Sequence, residues 1–312
     1  MATKPAHLVE RAAERLSHLG LLAGSATESR TDERGNASRQ AGSGARTASW
    51  PAVAAYAVPP EPPDIRPPSP DELSRVPTRA IISMAALERA GMFDWQRGRR
   101  RILEEFRLAQ QQLLRAVSAT TAPPGNLVLV TSARPGEGKS FIALNLACSI
   151  ALQGDHEVLL IDCDPVRQSI CQALGLTGAP GILDLAASPA LDADEIILRT
   201  EVDNLCVLPI GSERGRSFEL FASHDMTQLL HQLGRLEPQR VVILDAPPCL
   251  STSDPAALAA AVGQILMVVQ AEQTQREEVE TALELLQACP SIMLVLNKVP
   301  QSDRHAFGAY SS

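Results

Sequence analysis

The sequence has no surplus of basic residues, no paired cysteine spacing and no long unbroken apolar run. Its 28 Lys and Arg against 36 Asp and Glu leave a formal net charge of -8, so the chain has no general attraction for phosphate backbones and nucleic acid is not an expected partner. The one basic run, RGRRR with Arg97, Arg99, Arg100 and Arg101, is short and reads as a solvated or partner-facing helix start. Cys148, Cys163, Cys171, Cys206, Cys249 and Cys289 show neither a CxxC pair nor zinc-type spacing with His, and read as small core residues. No apolar signal core opens the chain. The most apolar later stretch, Ala256 to Val269, is broken by Gly263 and Gln264, so no direct membrane span is expected. These absences point to a cytoplasmic protein whose link to the inner membrane, if it has one, runs through a partner.

What is present is an ordinary globular composition, 45% hydrophobic and 21% charged over 312 residues, enough for one sizeable α/β domain with extensions. Over residues 1–22, Leu8, Ala12, Leu16 and Leu19 recur at helical spacing and predict a short amphipathic helix. Residues 23–76 are rich in Ser, Ala, Gly, Arg and Pro and end in PPEPPDIRPPSP, a composition that buries too little apolar area to order itself and reads as a linker. Residues 77–120 carry helical patterns, the second being RRILEEFRLAQQQLLRAV with Ile102, Phe106, Leu108, Leu113 and Val117 as apolar anchors. Residues 121–300 alternate short apolar runs with longer helical segments: NLVLV, EVLLI, NLCVLP, VVILD, ILMVV and IMLVL. Continuous apolar strands separated by helices predict a mostly parallel twisted sheet covered by helices on both faces. Residues 301–312 read as a flexible tail.

The segment ARPGEGKS, Ala133 to Ser140, follows a predicted strand and opens a predicted helix from Ser140 to Gln153, with Gly154 as the stop. That is the context a phosphate-binding loop requires. Gly136 and Gly138 let the backbone curl so that successive N–H groups face phosphate oxygens, and the helix start adds its positive end. Lys139 is placed to reach the β- and γ-phosphates and the Ser140 hydroxyl to ligate Mg²⁺. The pattern GxxxxGK[ST] departs at its first position, where Ala133 stands in place of Gly.

Two further runs end strands in carboxylates: LLIDCDPVR with Asp162 and Asp164, and VVILDAPPCL with Asp245. Ligands of open parallel sheets gather at the carboxyl ends of strands, so these carboxylates are expected to converge on the crevice beside the phosphate loop. Phosphoryl transfer needs one carboxylate to hold Mg²⁺ or its waters and another to orient the nucleophile. Asp164 before Pro165 is also a natural turn residue, and Cys163 between the aspartates is either a redox switch or a small residue filling a tight turn.

In this order and spacing ARPGEGKS, LLIDCD and ILDAPP resemble the bacterial tyrosine kinases that control exopolysaccharide polymerisation and export. These are relatives of the partition and division-site ATPases, whose phosphate loops carry an additional lysine near the position of Arg134. HLVERAAERL, EEFR, GILDL, FELFASHDM, DAPPCLSTSDP, VGQILMVVQAEQT and LVLNK narrow the resemblance to the exosortase- and exopolysaccharide-associated tyrosine autokinases. It implies a P-loop NTPase-type α/β fold and a kinase dependent on ATP and Mg²⁺. A membrane-spanning polysaccharide chain-length regulator is the implied activator. Carried over residue by residue, it gives Lys139, Asp162 and Asp164 catalytic parts, with Asp162 orienting the nucleophile. Gly136, Glu137, Gly138, Lys139, Ser140, Phe141 and Asn297 are implied to hold the nucleotide, Asn297 at an adenine-contacting position. Ser140, Asp162 and Asp245 are implied to hold the metal.

The sequence departs from the family pattern in two places. Relatives end in a tyrosine cluster, whereas this sequence ends DRHAFGAYSS and has two tyrosines, Tyr56 and Tyr310, which leaves Tyr310 as the expected phosphoacceptor. The family's Glu-x-x-Arg-x-x-Arg oligomerisation motif reads Glu104, Arg107, Gln110, so a homo-oligomer is expected to rest on Glu104 and Arg107. Two other readings fit the core motifs. One is an ATP-dependent switch or ATPase that gates the export complex without touching tyrosine; the other is a partition or division-site ATPase, which the acidic balance and the tail oppose.

Overall fold

A computed structural model describes residues 81–93, 100–119, 124–166, 169–188, 190–236 and 239–300. The amphipathic helix expected over 1–22, the linker over 23–76 and the tail with Tyr310 lie outside these residues, as do Tyr56, Arg97 and Arg99.

Seven strands form one sheet: β1 (Leu127–Ser132), β2 (Val158–Asp162), β3 (Leu198–Arg199), β4 (Leu205–Leu208), β5 (Val241–Asp245), β6 (Gln264–Gln270) and β7 (Ile292–Asn297). Their spatial order is β3-β4-β2-β5-β1-β6-β7, and every neighbouring pair is parallel except β3 with β4. All six predicted strands are present. The two-residue edge strand β3 is an addition that no periodicity announces.

The alternation along β1 explains why an unbroken apolar run is needed. Leu127 and Leu129 point into one core with Leu159, Ile161, Val242 and Leu244, covered by Met226, Leu230 and Leu233 of the helix His224–Arg235. Val128 and Val130 point into the opposite core with Val158, Leu160 and Ile243. Neither face meets water, so both residue parities must be apolar.

The second core is covered by α1 (Met84–Arg89), α2 (Arg100–Ala119) and α3 (Lys139–Gln153). Every residue of α3 from Ile142 to Ala151 is buried, because the helix lies between the sheet and α2 and has no wet side. Gly154, at φ 88°, ends it in the left-handed conformation that glycine tolerates best. Inside α3, Asn145 is fully buried and satisfied: it accepts from Phe93 N–H at 2.6 Å and donates to the Gly91 and Phe141 carbonyls at 2.9 Å. It fastens the segment after α1 onto the loop helix.

On α2 the inward stripe is Ile102, Phe106, Gln110, Leu113 and Val117, a 4-4-3-4 spacing that keeps one helix face. Leu108, an expected anchor, is half-buried and stands off this stripe, since two residues on from Phe106 is about 200° around the helix. Gln110 takes the inward place instead. It is 5% exposed, accepts from Ser149 Oγ at 2.6 Å and donates to Gln153.

Candidate functional site

The strand β1 ends at Ser132 and α3 begins at Lys139, so the loop between them sits at the carboxyl edge of an interior strand, between β5 and β6. Gly136 and Gly138 have φ of 84° and 97°. A side chain at 138 is disfavoured twice: L residues rarely adopt that φ, and a Cβ would push the Asn297 amide out of its place. The first backbone bond of the helix is Ile142 N–H to the Gly138 carbonyl at 3.0 Å. The amides of Lys139, Ser140 and Phe141 precede it and have no acceptor within the helix, which leaves them for an anion.

Glu137 is 2% exposed and braces the loop from inside. Its carboxylate accepts from Arg134 N–H at 2.7 Å, from Gln270 N–H at 3.1 Å and from the Thr274 hydroxyl. The side chain is therefore spent on holding the loop against the end of β6, and only its backbone faces outward. The Phe141 ring likewise packs away from the loop, against Phe106 at a centroid distance of 6.1 Å. Asn297 does not project a free amide: its Nδ2 donates to the Glu137 carbonyl at 2.8 Å. Arg134 is half-exposed, its guanidinium 3.4 Å from Glu278.

The three aspartates converge as expected but their partners differ. Lys139 Nζ lies 2.7 Å from Asp164 Oδ2 and 3.2 Å from Ser140 Oγ. Asp162 and Asp245 are register partners at the ends of β2 and β5. Asp162 accepts from Asp164 N–H at 3.0 Å and from Cys171 N–H at 2.9 Å, so both its oxygens shape the loop after β2. Asp245 is fully buried, and neither of its oxygens has a hydrogen-bond partner.

One ammonium among three carboxylates leaves the site short of positive charge. Burial lowers the Lys139 pKa, but Asp245, Asp164 and Asp162 outweigh it and hold the ammonium above its ordinary value. Burial first, and then Asp162 and Asp164, push Asp245 up to about 7 against the pull of Lys139 and the nearby Ser140 hydroxyl. A buried carboxylate with two orphaned oxygens, beside a hydroxyl and further carboxylates, is a donor set suited to a hard divalent cation. Ser140, Asp245 and the outer lone pairs of Asp162 can supply it. Cys163 is fully buried, and burial followed by Asp162, Asp245 and Asp164 raises its thiol well above the ordinary value. It fills a turn and is no redox nucleophile.

Thr274, Gln270 and Lys298 were not singled out by residue chemistry, although the runs AEQT and LVLNK contain or adjoin them. Asp184, in GILDL, is another. It is 8% exposed and accepts from Gly181 N–H at 2.8 Å, from Ser212 N–H at 3.1 Å and from Ser212 Oγ at 2.6 Å, locking the loop after β4 onto the helix Ile182–Ala187.

The AAA domain family matches residues 125–295, more than half of the chain. The putative tyrosine-protein kinase EpsB of Ralstonia nicotianae is 34% identical over 162 residues, 52% of this chain and 21% of that protein. Tyrosine-protein kinase YwqD of Bacillus subtilis is 30% identical over 187 residues, 59% of this chain and 77% of that protein. The kinase domain of Escherichia coli tyrosine kinase ETK shares the fold at a TM-score of 0.57 with 25% identity, over 66% of this chain and 78% of that one. The chain spans about a fifth of the length of EpsB. Among the described residues no helix is long and apolar enough to cross a membrane.

Proposed function

This chain belongs to the AAA-domain family and, within it, to the bacterial tyrosine kinases, and on that premise we propose that it transfers the γ-phosphoryl group of ATP to tyrosine. The observation that carries the proposal is the Lys139–Asp164 pair, 2.7 Å apart at the mouth of a phosphate-type loop. An ammonium held by one carboxylate and the adjacent Ser140 hydroxyl can exchange those partners for phosphate oxygens, and the exchange releases Asp164.

The released Asp164 carboxylate is then the group able to accept the tyrosine proton as the phenol oxygen bonds to phosphorus and the bond to the leaving diphosphate breaks. Asp162, expected from the sequence to orient the nucleophile itself, has both oxygens on main-chain N–H groups and in this proposal positions the Asp164 carboxylate instead. Ser140 and Asp245 are the proposed metal ligands, and bound Mg²⁺ would supply Lewis-acid stabilisation of the charge on the transferred group. The loop amides from Gly136 to Phe141 would hold the phosphates, and Lys139 would offset charge that grows in the transition state.

The acceptor is Tyr310 or a tyrosine on a partner, and the regulated process is exopolysaccharide chain length or export. The activator is a membrane-spanning chain-length regulator that recruits this chain from the cytoplasm to the inner membrane. The test is incubation of the full chain with Mg-ATP and the regulator's cytoplasmic segment, followed by mass spectrometry for phosphotyrosine. Phosphate on Tyr310 or on the segment supports the proposal. Consumption of ATP with tyrosine left unmodified overturns it in favour of a nucleotide-driven switch.

A further inference from the structure

The end of β7 reaches back across the sheet to the phosphate loop through two consecutive side chains. Asn297 Nδ2 donates to the Glu137 carbonyl at 2.8 Å, and Lys298 Nζ donates to the Gly136 carbonyl at 2.6 Å. Both acceptors are main-chain oxygens of the loop itself. Each belongs to a planar peptide whose N–H points the opposite way. Drawing the Gly136 and Glu137 carbonyls toward β7 therefore turns the Glu137 and Gly138 N–H groups away from it, toward the inside of the loop.

We propose that Lys298, with Asn297, is a positioning clamp for a nucleoside di- or triphosphate: it pins the carbonyl side of the loop so that two amides face the phosphates before any ligand arrives. The inference rests on the nucleotide-binding reading of the loop. Lys298 is exposed and its backbone lies at φ 56°, a left-handed conformation unusual for a residue with a side chain. That turn brings the side chain back over the loop rather than onward from the strand. Gln270, whose side-chain oxygen lies 3.4 Å from the same ammonium, contributes its N–H to Glu137. The ends of β6 and β7 thus grip neighbouring residues of one loop. A preformed donor array spares the ligand the cost of ordering it, and a charged donor makes the stronger bond to the carbonyl.

The test uses the full chain with Mg-ADP as probe, comparing wild type with Lys298→Met, Lys298→Arg and Lys298→Gly. Isothermal calorimetry should show ADP affinity about fivefold to tenfold weaker in Lys298→Met. The Arg variant, still able to donate to the carbonyl, should restore affinity to within about twofold. Lys298→Gly separates binding from stability, because glycine accepts the left-handed backbone. Its nucleotide-free melting temperature should hold or rise while its ADP affinity falls as in the Met variant. In the absence of ADP, the amide NMR signals of Glu137 and Gly138 should already shift in Lys298→Met. Unshifted amides with weakened binding would mean that Lys298 touches the nucleotide directly, which overturns the clamp. Unchanged affinity in Lys298→Met overturns it as well. If the wild-type chain itself binds no ADP, the nucleotide reading falls and the clamp's role with it.

Discussion

Asp245 and Asp162 face each other in register across β5 and β2, yet only Asp162 is held by main-chain N–H groups, while Asp245 has just the Ser140 hydroxyl nearby. The main chain satisfies one carboxylate of this pair and leaves the other fully buried without a main-chain donor. That asymmetry sets which aspartate shapes the loop and which is left for the proposed role of metal ligand.

The pH dependence follows from Asp245. Its carboxyl, with an ordinary value of 3.8, is pushed up to about 7 by burial. Between those values the folded chain binds more protons at this group than the unfolded one, so the stability this group contributes is fully present below about pH 4 and is lost as pH rises through about 7. Urea titrations of the nucleotide-free protein should show a loss on the order of 4 kcal/mol from this group across that window. Asp245→Asn should flatten the slope, and Mg²⁺ should recover stability at pH 8 in wild type only.

Asp164→Asn removes the carboxylate that pairs with Lys139. The ammonium is then free for phosphate, so ATP affinity should hold or improve. Loss of the proton acceptor should slow phosphotyrosine formation by about 10²-fold or more. Lys139→Ala should abolish both, and the divergence between the two variants in a binding assay run beside a transfer assay is the readout.

Gly138→Ala meets a positive φ and the Asn297 amide together. Forcing the substitution should cost roughly 1–3 kcal/mol of stability and displace Asn297 from the Glu137 carbonyl. Thermal melting should register the first effect and ADP titration the second.

Gln110 and Arg107 make contrasting predictions although they occupy neighbouring positions of one motif. Gln110→Ala leaves Ser149 and Gln153 without their buried partner, and should cost about 1–2 kcal/mol in chemical denaturation. Glu104 and Arg107 form an exposed pair 2.6 Å apart, so Arg107→Ala should leave the melting temperature nearly unchanged. Sedimentation velocity should show its effect on self-association instead.

Much of the fold was legible because its signals are local. Each central strand is an apolar run whose two parities serve two cores, and the loop from Ala133 to Ser140 carries its glycines, lysine and serine within one turn of chain. The strand-end positions of Asp162 and Asp245 followed from the same runs. Leu108 was misplaced because composition, rather than the angular step around α2, suggested it as an anchor.

What the amino-acid order determined by itself is the set of groups at the carboxyl edge of the sheet: a glycine-rich loop, one lysine and three aspartates. What only tertiary structure decided is how those groups are spent. Asp162 is consumed by main-chain N–H groups, Asp164 holds Lys139, Asp245 stands unpaired, and Gln110 turns inward. Asn297 and Lys298 return to the loop across 160 and 162 positions of sequence. The reason is physical: hydrogen bonds over such separations leave no periodicity in the chain, and whether a buried carboxylate is satisfied depends on which distant backbone the packed sheet brings beside it.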